Sequence, residues 1–451
     1  MIQNCLVDEN MRFVDPFILH EKQEYHSWTA LHIASRKGNS ALVSALLSLG
    51  ANPSFEDKKG ENSLHVACKY GHDKCVKILL AENVMLKDKQ NKQGLTPLCK
   101  ALFRLETAFR EKDYYKTIDL LIDAGCDVNL CAATNMTPLH LVAKKWSSVK
   151  VIKKLITAGA DVNAETEESS PLMSALCREK IDSATVAVLI EAGANVNYKN
   201  RSGKSVLHVA VAKSEDICVQ HLLKAGADVN ILDCDGNSPL CIAVDENIIK
   251  IAPLLLAHGA NVNYTDRKSQ WSYLFQATFM THKPMAKLLL EHNADVNFTF
   301  PKTNTPSTLH FAVLYGDMEF TKMLLRKNCN FIYDKFSDSC FRNQKNVLQV
   351  AMFKGNAKMI KLLLRAGFPL DGGHVNLEDL VAAVQKDADT MEWLMDFIHN
   401  PQSLLHLSRM KLRRMCGSDL DKINDKLVQA GYTPRTLAEK ILLKDVLDEE
   451  D

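Results

Sequence analysis

The sequence predicts an all-α fold: a solenoid of about ten to eleven stacked helical repeats, followed by a small helical domain. Three recurring features predict it. The tetrapeptide Leu-His-x-Ala begins at Leu31, Leu64, Leu207 and Leu309, with weaker copies at Leu98, Leu139, Leu172, Leu240, Leu274 and Leu348. Most steps between these leucines are 33 to 35 residues, and two are longer, 41 from Leu98 to Leu139 and 39 from Leu309 to Leu348. A glycine closes repeat after repeat, at Gly50, Gly125, Gly159, Gly193, Gly226, Gly259 and Gly367.

The stretch from Ser170 to Asn197 shows how one repeat is built. Ser170-Pro171 opens a short first helix, because a serine hydroxyl caps an orphan N–H and proline suits the first helical position. Thr96-Pro97, Thr137-Pro138 and Ser238-Pro239 repeat the device. A second helix follows with Val186, Leu189 and Ile190 on one stripe. Gly193 ends it in a conformation that tolerates positive φ. Next comes Ala/Cys-Asp/Asn-Val-Asn, at 126–129, 160–163, 194–197, 227–230 and 260–263. Its recurrent asparagine is expected to bond neighbouring backbone. Ten repeats start near Trp28, Asn62, Thr96, Thr137, Ser170, Ser205, Ser238, Ser272, Ser307 and Asn346. A degenerate eleventh pair spans Leu377 to His399, as a capping copy should. The expected domains are a capping segment over 1–27, repeats over 28–399 and a separate tail over 400–451.

This period with a Leu-His-x-Ala core is the ankyrin signature. Solenoids of this kind are usually binding surfaces, not catalysts. Five repeats carry a histidine, His32, His65, His140, His208 and His310. Histidines about 33 residues apart are spread along the stack and cannot converge on one ion, so a hydrogen bond bracing successive repeats is expected instead. Two insertions break the period. Residues 103–115 lengthen the helical region of the third repeat, and residues 331–345 extend a turn and carry Phe331, Tyr333, Phe336 and Phe341. Those aromatics are either packed on the stack or presented to a partner.

Composition narrows the function. Lys+Arg is 55 against Asp+Glu 54, so neither a general nucleic-acid binder nor a polybasic membrane surface is expected, and net charge gives no hint of the substrate. No apolar run is long enough for a membrane span, and the start reads as no secretory signal. The 13 cysteines include no Cys-x-x-Cys pair and read as reduced thiols, which places the protein in the cytoplasm or nucleus. Gly203-Lys204-Ser205 resembles the end of a phosphate loop, but Tyr198 stands where that motif needs its first glycine. His20-Glu21 lacks a second histidine, since Glu24 fills the place. No active site, metal or cofactor is expected.

After His399 the repeat pattern stops. Pro401 breaks the chain, Ser403 caps a helix of about three turns, and Gly417 ends it. Leu404, Ser408, Leu412 and Met415 share one face of that helix. Here the chain resembles the ankyrin repeat and SOCS box proteins. Their tail opens with a BC box, (Ser/Thr/Pro)-Leu-x-x-x-Cys-x-x-x-(aliphatic), and this sequence offers Ser403-Leu404-x-x-x-Ser408-x-x-x-Leu412. The resemblance implies docking onto Elongin B/C through Ser403, Leu404, Leu407, Ser408 and Leu412, with Leu404 as anchor. It implies recruitment of a cullin and its RING protein, and a target held by the repeats for ubiquitination. Ser408 departs from the usual cysteine. The cullin-selecting Leu-Pro-(aliphatic)-Pro is reduced to Gly431-Tyr432-Thr433-Pro434, which leaves Tyr432 and Pro434 as cullin contacts. Leu437 and Ile441-Leu442-Leu443 are similar to the family's closing helix.

Binding in repeat arrays favours turn tips and the inner-helix face. Tyrosine and arginine dominate hot spots. The candidate substrate contacts are therefore Tyr198, Arg201, Asp235, Tyr264 and Arg267. The alternative is a non-catalytic scaffold or inhibitor whose tail helices only cap the array.

Overall fold

The computed structural model describes residues 6–7, 13–14, 27–104, 111–130, 135–145, 148–265, 271–297, 307–327, 329, 336–338, 341–368 and 377–399. The chain divides into two compact units, Met1–Cys234 and Asp235–Asp451.

Among the described residues the first unit holds six helical pairs. Their inner helices are α1 (Ala30–Lys37), α3 (Ser63–Lys69), α5 (Pro97–Arg104), α7 (Pro138–Lys145), α9 (Pro171–Leu176) and α11 (Val206–Ala212). Their outer helices are α2 (Ser40–Ser48), α4 (Asp73–Glu82), α6 (Glu111–Asp123), α8 (Val149–Thr157), α10 (Ser183–Glu191) and α12 (Asp216–Lys224). Each inner helix packs on the next inner helix, and α2, α4 and α6 do the same on the outer side, as do α8, α10 and α12. The repeated leucine is the core of every layer: Leu31, Leu64, Leu98, Leu139, Leu172 and Leu207 are essentially inaccessible. The first insertion lengthens α6, which runs for 13 residues. Strand β1 (Leu6–Val7) pairs antiparallel with β2 (Phe13–Val14) inside the expected capping segment.

The second unit holds α13 (Pro239–Asp245) to α22 (Ala388–His399), again in pairs, with α21 (Leu377–Val384) and α22 as the degenerate last pair. Leu380, Val384 and Leu394 bury that pair, which packs on α19 (Val347–Phe353) and α20 (Ala357–Arg365). The second insertion is more ordered than an extended turn. Strand β3 (Phe336–Asp338) pairs antiparallel with β4 (Phe341–Lys345), with an irregularity between Phe336 and Asp338. Phe331 and Tyr333 lie outside the described residues.

Two ladders of hydrogen bonds tie repeat to repeat. In the first, the Thr29 hydroxyl donates to His32 Nδ1 (2.8 Å) and His32 Nε2–H donates to the Glu61 carbonyl of the next repeat (2.9 Å). His65 reaches the Leu95 carbonyl (3.0 Å), and His140 reaches that of Ser169 (3.3 Å). One nitrogen thus closes the helix cap and the other braces the following turn. The seventh repeat has Cys241 at the histidine position, and the buried Tyr273 takes over: its hydroxyl lies 2.7 Å from the capping Ser238 hydroxyl. The second ladder uses the recurrent asparagine. Asn129 Nδ2 donates to the Gly159 carbonyl (2.9 Å), and Asn129 Oδ1 accepts from Asp161 N–H (2.8 Å). Asn163 does the same to Gly193 and Asn195. The expected bonding to neighbouring backbone is therefore to the neighbouring repeat.

Candidate protein-binding faces

Turn tips are shaped by a side chain that folds the backbone over itself. Asp57 Oδ1 accepts from the N–H groups of Lys59 and Glu61 (both 2.8 Å), and Asn91 Oδ1 accepts from those of Gln93 and Leu95 (both 2.9 Å). Asn200 Oδ1 accepts from Ser202 and Lys204 in the same way. Each tip then needs a left-handed residue, supplied at Gly203 with φ 72°. A Cβ on Gly203 would come within 2.6 Å of Cys234 N, so the next turn rests directly on it.

Between tips and inner helices of the first unit lies an open groove of about 550 Å³. Asn135, Glu167 and Asn200 form its tip side, and Lys144, Ser174 and Cys177 its helix side.

The inner face of the second unit is aromatic. Trp271 sits 5.1 Å from Phe275 and 5.0 Å from Phe279 of α15 (Tyr273–Phe279), ring centre to ring centre. Phe311 of α17 (Thr308–Leu314) meets both rings edge-on, at 5.4 and 5.5 Å. Tyr315 continues the row and donates its hydroxyl to the Phe279 carbonyl (3.2 Å). The rim stays open: Phe279, Met280, Tyr315 and Phe353 are 40 to 62% exposed. Such a rim, large and apolar on a rigid frame, is the chemistry of a protein-contact surface.

Among the described residues, burial is the main cause of the cysteine and histidine shifts. Burial pushes the Cys75 thiol up to about 11 and that of Cys126 to about 12, which leaves both as inert packing groups. Burial holds the His32, His65 and His140 imidazoles below the ordinary range, so they brace as neutral rings. Among the described residues no cluster of three His, Cys, Asp or Glu side chains is placed to hold a metal ion. No described helix is long and apolar enough to cross a membrane.

The family model for ankyrin repeats matches residues 31–110, 105–200, 180–266, 207–300 and 274–379. The chain belongs to the ankyrin repeat family. Its array is similar to the target of rapamycin complex 2 subunit AVO2 of Saccharomyces cerevisiae, 26% identical over 140 residues, 31% of each chain. It is also similar to the E3 ubiquitin-protein ligase KEG of Arabidopsis thaliana, 30% identical over 135 residues, 30% of this chain and 8% of that one. The ankyrin repeat domain of human ASB11 aligns with a TM-score of 0.42 and 22% identity, over 52% of this chain and 99% of that domain. The matched stretch spans about a third or less of the two relatives' own lengths.

Within this ankyrin array the predicted contacts fall in different settings. Tyr198 is not a presented side chain: it is 5% exposed, and its hydroxyl donates to the Thr166 carbonyl (2.9 Å). The pattern rule for hot-spot tyrosines failed there because the ring packs under the turn. Arg201 is exposed and pairs with the exposed Glu167 (3.6 Å). Asp235 is exposed at its tip. Tyr264 is half-buried, its ring 6.4 Å from that of Tyr273. Arg267 lies outside the described residues, as do Ser403, Leu404, Leu407, Ser408, Leu412, Tyr432 and Pro434. The aromatic row was missed by sequence reasoning. Its signal was present, as Phe279 and Phe353 stand five residues after their repeat leucines, where Arg36 and Lys69 stand in earlier repeats.

Proposed function

We propose that this ankyrin protein is the substrate-recognition subunit of a cullin-RING ubiquitin ligase. The array holds the target protein, and the tail recruits Elongin B/C and, through it, a cullin with its RING partner. The protein performs no chemistry itself and acts by proximity in the cytoplasm or nucleus. The carrying observation is the tail motif Ser403-Leu404-x-x-x-Ser408-x-x-x-Leu412, which follows an ankyrin array. The repeats support the reading by supplying a rigid frame with an open aromatic rim. The similarity to KEG adds that a related array occurs in a ubiquitin ligase.

Co-expression with Elongin B and C followed by size-exclusion chromatography tests the reading. A stoichiometric complex is expected, and Leu404→Asp should abolish it while the repeats keep their helical signal and melting. A folded, monodisperse chain that elutes alone would sink the proposal. Ser408 in place of cysteine, and Tyr432 in place of the first proline of the cullin-selecting segment, favour the second reading, an ankyrin scaffold whose tail only closes the stack.

A further inference from the structure

The inner helices of the first unit end in a row of cations. Five and six residues after the repeat leucine stand Arg36 and Lys37, then Lys69, then Lys144 and Lys145, then Arg178, then Lys213. Because α1, α3, α5, α7, α9 and α11 pack in sequence, these positions form one ledge along the unit. Lys37, Lys144 and Lys213 are exposed, and Lys69, Lys145 and Arg178 are half-buried. Among the described residues none of Lys37, Lys69, Lys144, Lys145 and Lys213 forms an ion pair, and one guanidinium nitrogen of Arg178 is buried without a hydrogen-bond partner.

Cations favour helix C-termini, and that alone would place some of them here. The second unit argues against it as the full cause. The same two positions there hold Asp245 and Glu246, Phe279 and Met280, Leu314 and Tyr315, and Phe353 and Lys354. The helix ends therefore tolerate acid or apolar groups. The cations concentrate in the first unit, with Lys354 the one cation at these positions in the second, although the whole chain is balanced, with 55 basic and 54 acidic residues.

Aromatic rings interleave the row. Arg36 lies 5.8 Å from the Trp28 ring centre and 5.7 Å from that of Tyr70, and Lys145 Nζ lies 4.3 Å over the Phe103 ring. These contacts hold the cationic stems against the frame, which lowers the entropy lost when a ligand binds.

We propose that this ledge binds an extended acidic peptide segment of a partner protein. This names the chemistry of the array's partner under the reading above, and it stands apart from whether the tail recruits Elongin. Adjacent inner helices lie roughly 10 Å apart, and an extended peptide rises about 3.3 Å per residue, so one repeat matches about three peptide residues. Carboxylates at every third position would meet the cations at the ends of α1, α3, α7, α9 and α11, with Phe103 standing five residues after the leucine in α5, and about 16 residues would cross the unit. A peptide fits better than a nucleic acid because Glu167 and Glu168 line the groove beside Lys144, together with Met136. A phosphate at every step would meet those carboxylates, whereas a peptide can set an apolar residue there.

The test uses the full chain and a fluorescein-labelled peptide of about 16 residues with glutamate at every third position and leucine and serine between. Fluorescence anisotropy at low salt should show saturable binding that weakens as salt rises. Lys144→Glu/Lys145→Glu should weaken it about tenfold or more, with Lys144→Ala/Lys145→Ala intermediate. Lys354→Glu in the second unit should leave it unchanged, and circular dichroism should show each variant folded. Equal binding of the glutamine version of the peptide, equal loss in Lys354→Glu, or no saturable binding would each overturn the proposal. Tighter binding of single-stranded DNA of similar extended length would overturn it in favour of a nucleic-acid surface.

Discussion

His65 sets the clearest link between one side chain and the behaviour of the chain. It is fully buried, and burial lowers its imidazole to about 4 although its Nε2–H donates to the Leu95 carbonyl. The unfolded ring titrates near 6.5. The folded pKa is the lower one, so the unfolded state binds more protons between the two values. The neutral ring's contribution is complete above pH ~6.5 and is lost as pH falls toward 4. Lowering pH from about 7.5 to 4.5 should cost about 2 kcal/mol through this residue. Denaturant titrations of the wild type and His65→Gln at both pH values check this, and an equal loss in both would remove the assignment. Glycine gives a second residue-scale contrast. Gly203→Ala puts a Cβ against Cys234 N and Sγ at positive φ, whereas at Gly159 (φ 89°) a Cβ meets nothing within 4 Å. Gly159→Ala should cost about 1 kcal/mol from backbone strain alone. Gly203→Ala should cost clearly more, read as a lower unfolding midpoint.

At the scale of elements, the aromatic row of the second unit separates packing from presentation. Phe311 is half-buried and meets the rings of Phe275 and Phe279 edge-on, so Phe311→Ala should lose about 1.5 kcal/mol. Phe353 is 62% exposed, so Phe353→Ser should shift stability by no more than about 0.5 kcal/mol. Thermal melts of both variants check the pair, and comparable losses would mean that Phe353 is packing and not rim. The helical pairs themselves were legible because capping and closing residues recur: Ser170 caps α9, Ser205 caps α11, and both were readable as start signals. The brace made by histidine was legible from its period for His32, His65 and His140. Three things were not. The β3–β4 hairpin occupies an insertion without a two-residue turn signal, so periodicity offered nothing there. Tyr198 looked like a tip residue because exposure cannot be read from a turn sequence, and its hydroxyl in fact bonds Thr166. The cationic ledge vanished in the net charge, and it emerges only when each repeat is aligned on its leucine.

For the whole molecule, stability in a repeat array is close to a sum of repeats and their nearest-neighbour interfaces. This predicts opposite outcomes for two truncations. Removing 377–451 deletes Leu380, Val384 and Leu394, all fully buried, and uncovers the α19 and α20 faces they cover. That truncation should melt several degrees lower or aggregate, because buried apolar area is returned to water. Removing only 400–451 leaves the α21–α22 pair in place. If the tail is a recruitment module, the array should melt within about 2 °C of the full chain while Elongin co-elution is lost. A shorter chain that melts as low as the 377–451 deletion would mean that the tail closes the stack, and the scaffold reading would replace the ligase one. The two truncations read together keep the result unambiguous, since the first fixes how large a shift the loss of a capping layer produces in this array.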